Sequence, residues 1–309
     1  MDRVITSYEK PDLDGVSTMY AYAEYLNKIG INSSYYVWGI PKKEVAIVCN
    51  MFNISIEGVT SIEENQEVVL VDTNNLEEVP YLKAEQIVEI IDHHSKNKSS
   101  DKCINAIMQI ERVGAAATLV AERFKQNNIT ISRDSAILLY YGIISNSINL
   151  KANVTAQKDI EMTNWLKEQC DEISEEKIEE IFTLKSKIED KDLRVEMEAE
   201  IALNYKNEKI TIAQLEVANM EDFLKEKEDK IVKILSQIKQ EKNLDYIVIN
   251  CVDILNGFNI ILTVSDKEEQ LFNKIFGYEF KNRRCKINKI MQRKDLTKAI
   301  REASINDKG

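Results

Sequence analysis

Histidine occurs twice in this chain, and the two copies are adjacent, in Asp92-His93-His94. They follow the apolar run Gln-Ile-Val-Glu-Ile-Ile (86–91) without a break. A second apolar run, Glu-Val-Val-Leu-Val, ends in Asp72, and a third, near the N-terminus, is followed by Glu-Lys-Pro-Asp-Leu-Asp-Gly with Asp12 and Asp14. Each element alone has a bland reading. Asp-x-Asp in a loop is commonly a turn or a helix N-cap, and an Asp closing a strand is often a boundary residue. Together they deliver three carboxylates and an Asp-His-His to three strand ends. Clustered carboxylates repel one another and call for a cation. Oxygen donors with one or two imidazoles suit Mn²⁺, Mg²⁺ or Co²⁺ better than a thiolate-rich zinc site. A carboxylate shared by two ions would hold them ~3.5–4 Å apart, the arrangement that activates water for attack on phosphorus.

The elements needed to position these groups are legible as strands alternating with helices. Residues 3–8 read as a short strand. Val16–Gly30 reads as a helix closed by Gly30. Residues 33–39 read as a β-rich run, 42–52 as a helix, 67–72 as a strand and 84–94 as an apolar run ending in the two histidines. Residues 113–126 and 133–145 read as helices. Continuous apolar runs alternating with helices mark a parallel sheet covered on both faces, and in such sheets ligands bind at the carboxyl ends of the strands. The charged segment 156–190 reads as a long solvated helix or helix pair between domains. Beyond it the pattern changes. The β-branched runs 209–217, 245–254 and 257–265 surround one long helix (220–243), and the chain ends in a helix preceded by a basic loop. The expected fold class is α/β: a doubly wound parallel-sheet N-terminal domain (1–187) plus a smaller α+β C-terminal domain (188–309).

Composition limits the function. Of 309 residues 44% are hydrophobic and 30% charged, with 9 Gly and 3 Pro, which excludes collagen-like and low-complexity chains. Lys and Arg number 41 against 52 Asp and Glu, a net charge of −11, which argues against a general nucleic-acid binder. The five Cys are scattered and lack a CxxC pair, as expected of reduced thiols in a cytoplasmic protein. The N-terminus lacks an apolar signal core, and no run approaches 18 apolar residues, so neither secretion nor a membrane span is expected.

In order along the chain, Tyr-Glu-Lys-Pro-Asp-Leu-Asp-Gly, Val-Asp-Thr-Asn-Asn, Ile-Asp-His-His-Ser and Ile-Ile-Ser-Asn-Ser-Ile-Asn-Leu-Lys-Ala-Asn resemble the four motifs of the DHH phosphoesterases. Arg-Val-Gly-Ala-Ala-Ala-Thr-Leu resembles the segment after the DHH motif in type II inorganic pyrophosphatases. The C-terminal part, with Lys-Ile-Thr-Ile-Ala-Gln-Leu-Glu-Val and Met-Gln-Arg-Lys-Asp, is similar to the associated domain of pyrophosphatases and related exopolyphosphatases. The resemblance covers essentially the whole chain. It lacks the Gly pair and His of the C-terminal loop found in the nucleic-acid-cleaving branch, in agreement with the net charge.

The resemblance implies a hydrolase for pyrophosphate or short polyphosphate that uses two Mn²⁺, with Mg²⁺ or Co²⁺ as substitutes, and a cleft between the domains closing on a hinge near residue 188. Asp12, Asp14, Asp72 and His93 match metal ligands. His94 matches a proton donor or phosphate contact, and Asp92 would orient the imidazoles from behind. Arg293 and Lys294 match a phosphate-gripping pair, with Arg283-Arg284 as the rival alignment. Lys151 matches a Lys of the fourth motif near substrate. A homodimer through edge strands of the first domain is also implied. Two positions depart from the family. Tyr8 stands where the first motif has His, and Asn146 where the fourth has Asp. Tyr ligates poorly unless ionised, with a reference pKa of about 10, and Asn offers a carbonyl oxygen without charge. The departures keep open a second class: a regulatory protein that binds phosphate or nucleotide on a weakened site. A metal titration separates the classes, with two Mn²⁺ per chain expected of the enzyme and one or none of the binder.

Overall fold

A computed structural model describes residues 2–197 and 203–306. Its chain divides into two compact units, one of residues 1–150 with 154–181 and one of 151–153 with 182–309.

The first unit is built on five parallel strands in the order β2-β1-β3-β4-β5: β1 (Arg3–Thr6), β2 (Ser33–Tyr36), β3 (Glu67–Val71), β4 (Ile87–Asp92) and β5 (Ile107–Ile110). β3 lies inside the sheet, and its Val68, Val69, Leu70 and Val71 are all fully buried, each contributing roughly 1.5–3 kcal/mol. β4 carries a buried charge, Glu89. It is met by Arg123 at 2.6 Å and by the Tyr22 hydroxyl at 2.7 Å, so the strand stays in the core without an unpaired carboxylate. The helices are α1 (Leu13–Lys28), α2 (Lys43–Phe52), α3 (Ala116–Gln126), α4 (Arg133–Asn146), α5 (Gln157–Gln169) and α6 (Glu175–Lys185), the last running across the division between the units. α4 is apolar all round, and Ser135 through Ser145 are buried. The strand order reverses at β1, whose neighbours β2 and β3 follow it in sequence on either side. This is the switch point at which such sheets open a crevice beyond the strand ends.

Segment 156–190 departs from its reading as a solvated stretch. α5 buries Asp159, Met162 and Leu166, and α6 buries Ile178, Ile181 and Phe182. The short edge strand β5 was absent from the sequence reading.

The second unit holds a mixed sheet, β10-β9-β8-β7-β6, with β7 (Glu208–Val217) and β8 (Tyr246–Asp253) parallel and the remaining pairs antiparallel: β6 (Leu203–Tyr205), β9 (Phe258–Thr263) and β10 (Arg284–Ile287). One face packs on α7 (Leu193–Glu196) and α8 (Met220–Glu241), the other on α9 (Asp266–Phe276) and α10 (Arg293–Asn306). Among these, β6, β10, α7 and α9 were not foreseen. They are short or follow turns without an apolar run of their own.

Candidate metal centre

Asp12 ends the loop that leaves β1 and caps α1. Its Oδ1 accepts from the backbone N–H of Asp14 at 3.0 Å and Gly15 at 3.2 Å, so the N-cap reading of this residue holds. Gly15 is tightly enclosed. A Cβ there would stand 3.3 Å from Asp72 Oδ2 and from Ser7 Oγ, and 3.1 Å from Pro11 Cβ.

Asp14, in the first turn of α1, is buried. α3 begins at Ala115 without a side-chain cap of its own, and Asp14 supplies one from about a hundred residues away. Its Oδ2 accepts from Ala116 N–H and its Oδ1 from Ala117 N–H, both at 2.8 Å, with Thr18 Oγ1 3.3 Å from Oδ1. A carboxylate on a helix N-terminus is favourably placed. Even so, burial raises the Asp14 pKa to about 6; His93 and the two backbone bonds work against that rise, and the charge of Asp12 adds to it.

Asp72 stands where the chain leaves β3, at φ +56°, a left-handed conformation that costs an L residue about 1–2 kcal/mol. Its N–H bonds Ile91 O at 2.9 Å, tying the end of β3 to β4. Its Oδ2 accepts from the Tyr8 hydroxyl at 3.3 Å. Its Oδ1 is buried without a hydrogen-bond partner and lies 3.3 Å from His93 Nε2. Burial, together with the charges of Asp14 and Asp12, pushes the Asp72 carboxyl well above the usual carboxylate range.

His93 Nδ1 lies 3.1 Å from the Val113 carbonyl, which can only accept, so the ring proton sits on Nδ1. The lone pair of Nε2 then faces Asp72 Oδ1 at 3.3 Å and Asp14 Oδ2 at 3.7 Å. Asp92, expected to orient both imidazoles, holds only the ring of His94; it reaches His93 through the backbone, and the His93 ring is held by Val113 O instead. Asp92 Oδ1 accepts from the backbone N–H of His93 at 2.7 Å and of His94 at 3.1 Å, and from His94 Nδ1 at 2.8 Å. Burial raises the Asp92 pKa, but these bonds and His94's charge outweigh it and hold it low. Its neighbours' desolvating effect works against charge on His94, yet the bond to Asp92 and the charge of Asp72 prevail, so its pKa lies above the ordinary value. The His94 side chain remains half-exposed at the mouth of the cluster.

Two positions differ from the expected ligand set. Burial, with the charges of Asp12 and Asp72, raises the Tyr8 hydroxyl well above its ordinary pKa. It is a neutral phenol that donates to Asp72 and accepts from Asp12 N–H at 3.4 Å. Asn146, expected to offer its carbonyl oxygen, presents its amide nitrogen instead. Nδ2 donates to Gly114 O at 2.7 Å, an acceptor that fixes which end of the amide points there, and the same nitrogen lies 3.3 Å from His93 Nε2 and 3.4 Å from Asp14 Oδ2.

The other expected residues lie in the second unit. Lys151 Nζ donates to Leu255 O at 2.7 Å. Arg293 and Lys294 open α10. Arg284 of the rival pair pairs with Glu228, and Arg283 with Asp266 at 2.7 Å, so both rivals are engaged by local carboxylates.

Three positioning residues escaped the sequence reading. Asn74 donates to Asp92 Oδ2 and to Ser95 O. Glu44 of α2 accepts from Leu13 N–H at 3.1 Å and Ser145 Oγ at 2.6 Å, fixing the start of α1 and the end of α4. Asp159 of α5 is buried and accepts from Gly114 N–H at 2.8 Å, Ala156 N–H at 2.6 Å and the Thr118 hydroxyl. It thereby holds the Val113–Gly114 turn whose carbonyls position His93 and Asn146, and a Cβ at Gly114 would lie 2.9 Å from Asp159 Oδ2. Asn74 lay within a recognised motif. Asp159 lay in a charged stretch that offered no signal.

The donor set fits a divalent cation. Asp72, Asp92, His93 and His94 each place a ligand-capable atom within 4.8 Å of the others, and Asp14 Oδ2 adjoins His93. The buried Asp72 Oδ1, without a hydrogen-bond partner and 3.3 Å from His93 Nε2, stands where a positive centre would be favoured.

Comparison with known proteins agrees with this chemistry. The model of the DHH family N-terminal domain matches residues 3–143, and that of the DHHA2 domain matches 164–301. A manganese-dependent inorganic pyrophosphatase of Bacillus subtilis is 25% identical over 310 residues, covering 94% of each chain. A Bacillus velezensis protein, named a "probable manganese-dependent inorganic pyrophosphatase", is 27% identical over 323 residues, 97% of this chain and 99% of its own. A crystal structure from Methanococcus jannaschii, provisionally assigned as a family II inorganic pyrophosphatase, shares the fold with a TM-score of 0.71 at 23% identity, covering 97% of this chain and 99% of its own. With one domain model on each side of residues 144–163, and relatives that run its full length, the chain belongs to the DHH family and joins that family's N-terminal domain to a DHHA2 domain.

Proposed function

We propose that this protein is a divalent-metal-dependent phosphohydrolase that cleaves the P–O–P bond of pyrophosphate or short polyphosphate. The observation that carries the reading is the meeting of Asp14 Oδ2, Asp72 Oδ1 and His93 Nε2, two carboxylate oxygens and an imidazole nitrogen, with Asp72 Oδ1 buried and without a hydrogen-bond partner. Asp14, Asp72 and His93 would hold Mn²⁺, or Mg²⁺ or Co²⁺, with Asp12 beside them. When bound, the metal would supply positive charge to a phosphoryl oxygen and acidify a water.

The protein's own groups then take the remaining tasks. Asp92 aims the His94 ring and favours its protonated form, the form that would give a proton to the leaving phosphate. Tyr8 holds the Asp72 carboxylate through Oδ2, leaving Oδ1 for the cation. Asn146 serves as a hydrogen-bond donor beside the cation in the orientation seen. Turning its amide would offer oxygen to the metal but forfeit the bond to Gly114 O. Arg293 and Lys294 are assigned to grip the anion's phosphates, and Lys151 to approach them, on the resemblance of their motifs. A cytoplasmic setting suits the five free thiols.

Tyr8 and Asn146 also favour a second reading, a phosphate- or nucleotide-binding regulator. Both put a neutral N–H or O–H where an anionic or imidazole ligand is expected. Phosphate release from pyrophosphate by EDTA-stripped protein, with and without added Mn²⁺, decides between them. Mn²⁺-dependent release supports the hydrolase. Absence of release from pyrophosphate, polyphosphate and dinucleotide alike supports the regulator.

A further inference from the structure

A polar stripe crosses the sheet of the second unit where its pattern calls for apolar side chains. On one face, Ile210 and Ile212 of β7, Tyr246 and Val248 of β8 and Ile261 of β9 pack with Leu296 and Ile300 of α10. Strand alternation carries the same face to Gln214, Asn250 and Asn259. Gln214 and Asn250 are direct neighbours in the parallel pair, and Asn259 lies diagonally across the antiparallel one. Asn250 and Asn259 are completely buried.

Their bonds converge on one short segment. Asn250 Nδ2 donates to Met291 O at 2.8 Å and to Gln214 Oε1 at 3.0 Å. Asn259 Nδ2 donates to Met291 O at 2.6 Å and to Asn250 Oδ1, and its Oδ1 accepts from Met291 N–H at 3.1 Å. Gln214 Oε1 accepts from Arg293 N–H at 2.6 Å. Asp295 Oδ2 takes the N–H between them, that of Gln292, at 2.9 Å. Anchoring α10 needs only a local cap such as Asp295. Burying three amides across a core face is costly unless each is satisfied, and a satisfied network of this kind specifies one arrangement more sharply than apolar packing does. What it specifies is the backbone that delivers Arg293 and Lys294.

We propose that Gln214, Asn250 and Asn259 are positioning residues that clamp the Met291–Arg293 backbone to the sheet, so that Arg293 and Lys294 are presented in fixed geometry to the phosphates of the substrate. This rests on the anion-gripping role assigned to those two residues above. A guanidinium recognises phosphate through a rigid fork, so displacing its backbone weakens binding even though the charge is retained.

The test is a cycle on the full-length, Mn²⁺-loaded protein with Gln214→Met, Arg293→Ala and the double variant. Gln214 is only partly buried, and Met keeps its length while removing its acceptor. Hydrolysis kinetics with pyrophosphate, calorimetric titration with inorganic phosphate and thermal melting are measured together. Gln214→Met is expected to raise KM, and to weaken phosphate binding, about fivefold, with kcat within about twofold. The double variant should be no worse than Arg293→Ala alone. Should Gln214→Met misfold, Asn259→Asp serves, since it keeps the acceptor for Met291 N–H and loses the donor to Met291 O. Effects that add in the double variant, or a lowered melting point without change in KM or phosphate affinity, would overturn the proposal while leaving the role of Arg293 intact. An Arg293→Ala variant that binds phosphate as wild type does would overturn the anion-gripping role, and the proposal with it.

Discussion

Each unit sets a cluster of polar side chains on its sheet, one beyond the strand ends and one across a sheet face, and the two solve opposite problems. Beyond the ends of β1, β3 and β4, Asp14, Asp72 and His93 are buried together, Asp72 Oδ1 is without a hydrogen-bond partner, and both carboxyl groups are pushed toward protonation. On β7, β8 and β9, Gln214, Asn250 and Asn259 are neutral amides whose bonds are met within the protein. On the proposed reading the first cluster would be completed by a cation. The second is complete already and can only hold something still. Burial of polar groups alone therefore does not mark a reaction centre; a cluster of carboxylates whose titration is strongly perturbed is the better pointer.

The largest expected effect breaks this contrast at its sharpest point. Asp72→Asn should abolish Mn²⁺-dependent hydrolysis, by roughly a thousandfold or more. The same change should raise the melting point of the metal-free protein, because it removes a buried like charge beside Asp14. Calorimetry of the EDTA-stripped variant checks the second half, and an unchanged hydrolysis rate would sink the site assignment. Next, Asp159→Ala strands the Gly114 and Ala156 N–H groups and should cost about 2–4 kcal/mol in urea unfolding, with weaker Mn²⁺ binding as the His93 turn loosens. Restoring Tyr8→His with Asn146→Asp should raise the Mn²⁺-supported rate, on the order of tenfold. A double variant no faster than wild type would show the departures to be compensated within this chain.

The smallest effect is in pH. The Asp14 pKa of about 6 lies above its unfolded value of about 3.9, so the folded metal-free protein takes up a proton. That contribution to stability is fully present below the unfolded pKa and is lost as pH rises through about 6. Metal must displace the same proton, so the rise in melting point on adding Mn²⁺ should be larger at pH 7.5 than at pH 5, and Asp14→Asn should flatten the difference.

The sheet of the first unit and its acidic ends were legible because β3 and β4 are largely apolar runs that stop at Asp72 and Asp92-His93-His94, and β1 leads into the loop that carries Asp12. β5 was not, since its exposed Ile107 and polar Gln109 make no such run. Asp12, Asp14, Asp72, Asp92 and both histidines could be named from type and spacing. The bond from Tyr8 to Asp72, the amide orientation of Asn146 and the reach of Asp159 to Gly114 could not, because each depends on side chains brought together from 32 to 64 residues apart. The amide stripe was hidden for a related reason. Gln214, Asn250 and Asn259 each look like an isolated polar interruption until the strands are set side by side.

The central claim is that Asp14, Asp72 and His93 make a cation site. Its most direct test is calorimetric titration of EDTA-stripped protein with Mn²⁺, run in parallel on Asp72→Asn. The account predicts at least one Mn²⁺ bound per wild-type chain and loss of that binding in the variant. A wild-type chain that takes up no Mn²⁺, or a variant that binds it equally well, would contradict it.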